Sequence, residues 1–229
     1  MLESVYRVFA YLGVCVLPAS FIMGFRHEPG APLGNLTFNI LLYAAFIAVH
    51  IIMTMPALKR AFFRDPHGTP FERRVYVTIS IVTWVGLFAL HKPVGGFGLV
   101  SPVWVQFIGI CGVLLGVIAF FEFATFESLK SLLGVPGAPL SHSAGAETPL
   151  MTEGPYASVR HPMYRAAVLY AFVSLLIHPN TGQLLFAVLV GASFVGFIPF
   201  EEHQLARHRG EEYRDYIKQT PHRVFRGLW

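Results

Sequence analysis

Three stretches of the chain put polar side chains beside long apolar runs, where they can do chemistry. The densest is Gly154-Pro155-Tyr156-Ala157-Ser158-Val159-Arg160-His161-Pro162-Met163-Tyr164. Pro162 suits the first position of a helix, where its missing N–H costs nothing. The free backbone N–H groups at that helix start favour an anion such as a carboxylate, and Arg160, His161 and Tyr164 add donors to the same spot. A basic anchor at a membrane interface is the competing reading. The second stretch is Glu201-Glu202, where an apolar run gives way to polar sequence. An acidic residue within a span costs on the order of 2–3 kcal/mol, so the pair needs compensation. Either Arg207 or Arg209 neutralises it on a solvated helix face, or one carboxylate faces inward toward a cationic ligand or a ligand's hydroxyls. Donors on one segment and acids on another suit a zwitterion that also carries a sulfonium. The third stretch holds His50, followed by Met53, Pro56 and Lys59. An intramembrane histidine is a hydrogen-bonded core residue, an orienting group for a small substrate, or a ligand to haem iron. Glu122, inside Phe120-Phe121-Glu122-Phe123, is the other costly polar group in a span and is expected to face the bundle interior.

The elements that must carry these residues are helices in lipid. Of 229 residues, 54% are hydrophobic and 13% charged, about half the charge of an ordinary soluble domain. Apolar segments run approximately over 5–25, 36–55, 75–91, 102–125, 163–178 and 183–200, most of them near the roughly 20 residues a bilayer crossing needs. The pattern predicts an all-α polytopic membrane protein with about six hydrophobic segments. The last two, short and separated by His178-Pro179-Asn180-Thr181-Gly182, read as a helical hairpin, with cytosolic helical pieces following Phe200. The expected organisation is a single membrane-embedded domain: a four-span bundle over 1–125, a cytosolic loop over 126–162, and the hairpin with its C-terminal region over 163–229. The Gly-, Pro- and Ser-rich loop from Gly134 to Tyr156 is a flexible connector or a lid over a cytosolic site.

Lys and Arg set the orientation. With the N-terminus cytosolic, 14 of the 17 fall on the cytosolic side, only Arg26 and Lys92 on the other, and Arg165 just inside the fifth segment. Both termini are therefore expected in the cytosol, in a plasma or inner membrane if the source is bacterial. The net charge of +4 reads as this positive-inside signal, with no nucleic-acid partner expected. A monomer is expected.

Several classes are excluded. Cys15 and Cys111 lie inside apolar runs with neither metal-ligand nor disulfide spacing, and no metal site is expected. The ten histidines lack the clustering a membrane di-iron oxygenase requires. The sequence holds no phosphate-cradling P-loop, no G-x-G-x-x-G ahead of a helix and no G-x-S-x-G elbow.

Taken together, Arg160-His161-Pro162-Met163-Tyr164 and Glu201-Glu202 resemble the R-H-P-x-Y and E-E signatures of the isoprenylcysteine carboxyl methyltransferase superfamily. The trailing Gly210, Tyr213 and Tyr216 fit the same region. His50-Ile51-Ile52-Met53-Thr54-Met55-Pro56-Ala57-Leu58-Lys59 is similar to the H-x-x-M-A-R-P-x-x-K stretch of the NnrU-type branch, which includes methanethiol S-methyltransferases. Glu72-Arg73 with Tyr76, and Gln183-Leu184-Leu185-Phe186-Ala187, extend the likeness over most of the chain from His50 onward. Met55 stands where that branch usually has Arg, Val49 where Gln is common, and Arg165-Ala166 where Leu-Gly usually follows.

The resemblance implies a helical membrane enzyme that uses S-adenosylmethionine, with a cofactor pocket open to the cytosol. By position, Tyr156, His161, Tyr164, Glu201 and Glu202 would line the cofactor site. Arg160 would meet the acceptor as a catalytic cation. His50 is the second catalytic candidate, with Met53 and Glu122 as acceptor-binding groups. The acceptor is expected to be a small or lipophilic nucleophile, foremost a thiol. A prenylcysteine carboxylate, a phospholipid amine, and a haem-binding protein with His50 as axial ligand are the alternatives.

Overall fold

The computed structural model describes residues 2–63, 70–123, 133, 135 and 150–227. Eight α-helices account for most of them: α1 (Leu2–Met23), α2 (Leu33–Thr54), α3 (Pro56–Phe63), α4 (Pro70–Leu90), α5 (Val103–Phe123), α6 (Pro162–Ile177), α7 (Thr181–Arg209) and α8 (Glu211–Gln219). A 3-10 turn, Gly154–Ala157, precedes α6. Among the described residues the only β pairing is two isolated bridges, His27 with Val94 and Gly98 with Asn180.

Four helices, α1, α2, α4 and α7, are long and apolar enough to cross a membrane. The 22 residues of α2 span about 33 Å, slightly more than a hydrocarbon core. Helix α6 is a shorter apolar helix, and the described side chains of α5 are apolar over Val103–Gly116. Among the described residues, then, four helices meet the length and composition of a span.

Two details add to the hydropathy segments. Helix α7 runs for 29 residues, joining the apolar segment that ends at Phe200 to the helix-like polar stretch expected after it, and so carries Glu201 and Glu202 on its own polar extension. Asn180 starts it by accepting from the Gln183 amide at 2.9 Å, and Pro199 is accommodated within it. Gly210 ends it with φ 55°, in the left-handed region that disfavours a side chain. The other is α3, a separate helix. Met55 is extended ahead of Pro56, the conformation proline imposes on the residue before it, so α2 stops and a new helix begins.

The loops joining α1 to α2, α4 to α5 and α6 to α7 meet at one end of the bundle. Val94 donates to Arg26, Lys92 to the Asn39 side chain, Leu99 to Pro179 and Thr181 to Phe97. At this end Gln183 is completely buried yet satisfied, donating to Ser174 Oγ and accepting from the Phe25 amide. Phe21, Phe25, Tyr43, Leu87 and Phe186 form the apolar core beneath. Helix α6 is seated between α5 and α7. Gly109, Gly112 and Gly116 line the α5 face against Ile177, Val173 and Tyr170, and a Cβ at Gly116 would collide with the Tyr170 ring. Small residues bring the two backbones together, the usual substitute for hydrophobic association in lipid. That contact fixes where the first turn of α6 comes to rest at the opposite end.

Candidate functional site

At that opposite end the first turn of α6 meets the polar extension of α7. Pro162 occupies the first helical position and His161 the cap, but the His161 side chain does not cap the helix. It turns instead toward the acids on α7. Its Nε2 lies 3.2 Å from Oε1 of Glu202 and its Nδ1 3.5 Å from Oε2 of Glu201. One turn on, Tyr164 stacks on the His161 ring and donates its hydroxyl to Glu201 Oε2 at 2.6 Å.

The two neighbouring acids have different surroundings. Glu202 is buried and accepts from Arg160 Nε at 2.7 Å and from Arg223 Nε at 2.9 Å, besides its contact with His161. Glu201, on the adjoining face of the helix, leaves 38% of its side chain accessible. A buried carboxylate held by two guanidiniums is a structural clamp. A partly open one that accepts from a tyrosine still has lone pairs for a ligand.

Arg160 is also buried and bonded at several points. Besides Glu202, its Nη1 donates to the carbonyls of Thr220 and Pro221, both at 2.7 Å. The backbone adds two more links: Arg160 N donates to His222 O and His161 N to Arg223 O. The segment after α8 is thereby laid against the start of α6. Helix α8 itself is strongly amphipathic and buries Tyr213 and Tyr216, three residues apart on one face. The Tyr216 hydroxyl donates to the Tyr156 carbonyl at 2.8 Å.

The aqueous-side phenols remain donors at neutral pH. Burial, followed by the Tyr156 phenol, pushes Tyr216 up to about 12. Burial, followed by the Glu201 charge, raises Tyr156. Tyr213 is raised by burial, with the charge of Glu202 next. Its hydroxyl has no hydrogen-bond partner among the described residues, although the side chain is 1% exposed and close enough to Glu201, Glu202 and Arg160 for their charges to interact. A buried hydroxyl without a partner costs about 1–3 kcal/mol.

Five residues singled out in the sequence therefore come together directly: Arg160, His161, Tyr164, Glu201 and Glu202. Tyr156 joins them through Tyr216 and through the charge of Glu201. His50 and Met53 lie on α2, and the ring of His50 contacts Phe46 and Tyr76 while its Nδ1 faces the Phe46 carbonyl at 2.8 Å. Tyr76 on α4 relates His50 to the cluster, since it lies edge-on to His50 at 5.9 Å and within range of the Glu201 charge. Arg73 sits over the Tyr76 ring, and Lys59 pairs with buried Glu72 at 3.4 Å beside it. Glu122 is on α5, but its side chain lies outside the described residues. Most of the loop over 134–156 lies outside them as well.

Sequence reasoning misses Arg223, the Thr220 and Pro221 carbonyls, and the open hydroxyl of Tyr213. A signal for Tyr213 and Tyr216 exists, two tyrosines at helical spacing in an otherwise charged segment. None marks a backbone carbonyl as a ligand for arginine.

Buried donors and paired acids thus stand together at the polar end of an apolar helical bundle. Residues 103–212 match the family described as Phospholipid methyltransferase. The chain is 30% identical over 206 residues to the Methanethiol S-methyltransferase of Pseudomonas deceptionensis, covering 84% of this chain and 74% of that relative. It is 28% identical over 224 residues to Methanethiol S-methyltransferase 2 of Bradyrhizobium diazoefficiens, covering 92% and 80%. It is also 28% identical over 129 residues to Protein-S-isoprenylcysteine O-methyltransferase B of Arabidopsis thaliana, covering 54% and 61%. The chain belongs to the membrane methyltransferase superfamily that contains the isoprenylcysteine methyltransferases, on its methanethiol S-methyltransferase branch. It is a methyltransferase, and its apolar helices place it in a membrane.

Proposed function

We propose that this protein transfers a methyl group from S-adenosylmethionine to a small thiol. The observation that carries the reading is the cluster formed by the first turn of α6 and the polar end of α7, with Tyr164 bonded to Glu201 and His161 between the two acids. The donor set suits this cofactor. Glu201 offers a partly open carboxylate to an ammonium, a sulfonium or ribose hydroxyls, and Tyr213 offers an unmatched buried donor to a carboxylate or ring nitrogen. When bound, the cofactor supplies an electrophilic methyl on a sulfonium. The chain's own residues hold it, keep water out and align the acceptor. Tyr156, His161, Tyr164 and Glu201 line the cofactor side, with Glu202 behind them as the clamp. His50, Met53 and Glu122 belong to the acceptor side, reached from α2 and α5 through the lipid-facing bundle. Positive-inside asymmetry puts the site on the cytosolic face with both termini, and α6 with α7 forms the hairpin that presents it.

A thiol acceptor is favoured by the relatives that cover most of this chain, which are named for methanethiol. Little acid–base work is required once such a thiol, with an ordinary pKa of roughly 8.5, has ionised. The test is methyl transfer from radiolabelled S-adenosylmethionine in nanodiscs to a panel of short thiols, prenylcysteines and phosphatidylethanolamine. Product with the thiols alone supports the proposal. Product only with a prenylcysteine or the lipid amine assigns a different acceptor, and a Soret band without any transfer replaces the reading with haem binding.

A further inference from the structure

Residues 216–223 are fastened to residues 156–161 at several points. The Arg160 and His161 amides donate to the His222 and Arg223 carbonyls at 2.9 and 2.8 Å. The Arg160 guanidinium takes the Thr220 and Pro221 carbonyls, and the Tyr216 hydroxyl takes that of Tyr156. Arg223 then reaches back to Glu202. Thr220 and Val224 are buried in this arrangement, so the segment is packed as well as bonded.

An arginine that meets an acceptor needs N–H groups directed at the reacting atoms and a charge not already neutralised. Arg160 fails the second condition and has little room to meet the first. Three of its five N–H groups, on Nε and Nη1, are engaged by Glu202 and two carbonyls, and only 5% of its side chain is accessible. A guanidinium paired with a carboxylate at 2.7 Å does little to lower a thiol's pKa, because the two opposite charges act on the thiol together.

We infer that Arg160 is a positioning residue that, with Arg223, docks the C-terminal segment against the start of α6 and so completes the donor side of the site. The segment carries α8 into place, and with it Tyr213 and Tyr216. Arg160 and Arg223 also hold Glu202 from two sides, which sets the rotation of α7 and leaves Glu201 facing the open side. The donor site is complete only with the segment docked. This rests on the donor assignment proposed above.

The test compares wild type with Arg160→Gln, Arg160→Lys and Arg223→Gln in nanodiscs. It reads calorimetric affinity for S-adenosylmethionine, thiol KM at saturating donor, the pH profile of kcat/KM for the thiol, and protease cleavage after Gln219. Arg223→Gln is expected to weaken donor binding about tenfold and Arg160→Gln further, each having lost charge-assisted hydrogen bonds. Thiol KM at saturating donor and the pH profile should stay as in wild type. The segment should become easier to cleave in both variants. Arg160→Lys should resemble Arg160→Gln, since a lysine keeps the charge without the fork. Unchanged donor affinity in Arg160→Gln, together with a raised thiol KM or a pH profile moved to higher pH, would overturn the inference. If Arg160→Gln does not fold, Arg223→Gln decides by the same readouts, because its side chain is 29% exposed and its removal leaves Arg160 on Glu202. A wild type that binds no donor refutes the proposed function, while cleavage of the apo proteins still decides whether the arginines hold the segment.

Discussion

The Tyr164 hydroxyl donates to Oε2 of Glu201 at 2.6 Å, joining the first turn of α6 to the polar extension of α7. The bond fixes the one site carboxylate that remains partly open. It also separates the neighbouring acids by task, with Glu201 turned to the open side and Glu202 held by Arg160 and Arg223.

Tyr164→Phe removes that bond and leaves the stacked ring on His161. Loss of one hydrogen bond to a charged acceptor, about 1.5–3 kcal/mol, lets Glu201 rotate away from the donor. We expect affinity for S-adenosylmethionine to fall about tenfold or more, with the helical far-UV signal unchanged. Equilibrium dialysis with labelled donor measures it.

Glu202→Ala should act on stability before it acts on chemistry. The substitution leaves the buried Arg160 guanidinium without its carboxylate, and breaking such a pair typically costs about 3–5 kcal/mol. The expected outcome is a lowered unfolding midpoint in detergent and a C-terminal segment open to protease. Glu201→Ala, at the more open position, should cost less, about the 1.5–3 kcal/mol of the bond it accepts from Tyr164.

Tyr213→Phe has the opposite signature. Deleting a buried hydroxyl that lacks a partner among the described residues removes a desolvation penalty. The apo protein should be as stable as wild type or slightly more so, while the stabilisation conferred by S-adenosylmethionine shrinks. Thermal shift with and without donor reads both effects.

Alkaline pH should release the C-terminal segment. Tyr216 is pushed up from 10.0 to about 12 in the folded state by burial and the nearby Tyr156. A folded value above the unfolded one means that its contribution is whole below pH 10 and is lost as pH rises through 12. Protease cleavage after Gln219 should accelerate across that window in wild type. Tyr216→Phe should show no such step.

The helical architecture, the rough positions of the apolar segments and the five residues of the cluster were legible in the chain because each rests on a local signal. Hydropathy marks a span wherever lipid is the solvent, and Arg160-His161-Pro162 announces a helix start rich in donors. What was not legible depends on distant contacts. The chain reads as helical past Phe200, but no local signal shows that Glu202 on that extension finds Arg160 and Arg223. Arg160 reads as a free cation in the sequence, and only the return of residues 220–223 shows what it holds. His50 is similar: its neighbour Tyr76, which relates it to Glu201, comes from another helix.

The most direct measurement is a calorimetric titration of S-adenosylmethionine into the nanodisc-embedded protein and into Glu201→Gln. Saturable binding of one cofactor per chain in wild type, weakened at least about tenfold in a variant that unfolds at the wild-type temperature, is the predicted result. Equal affinity in the two proteins, or no binding to wild type, would contradict a methyl-donor site between the start of α6 and the end of α7.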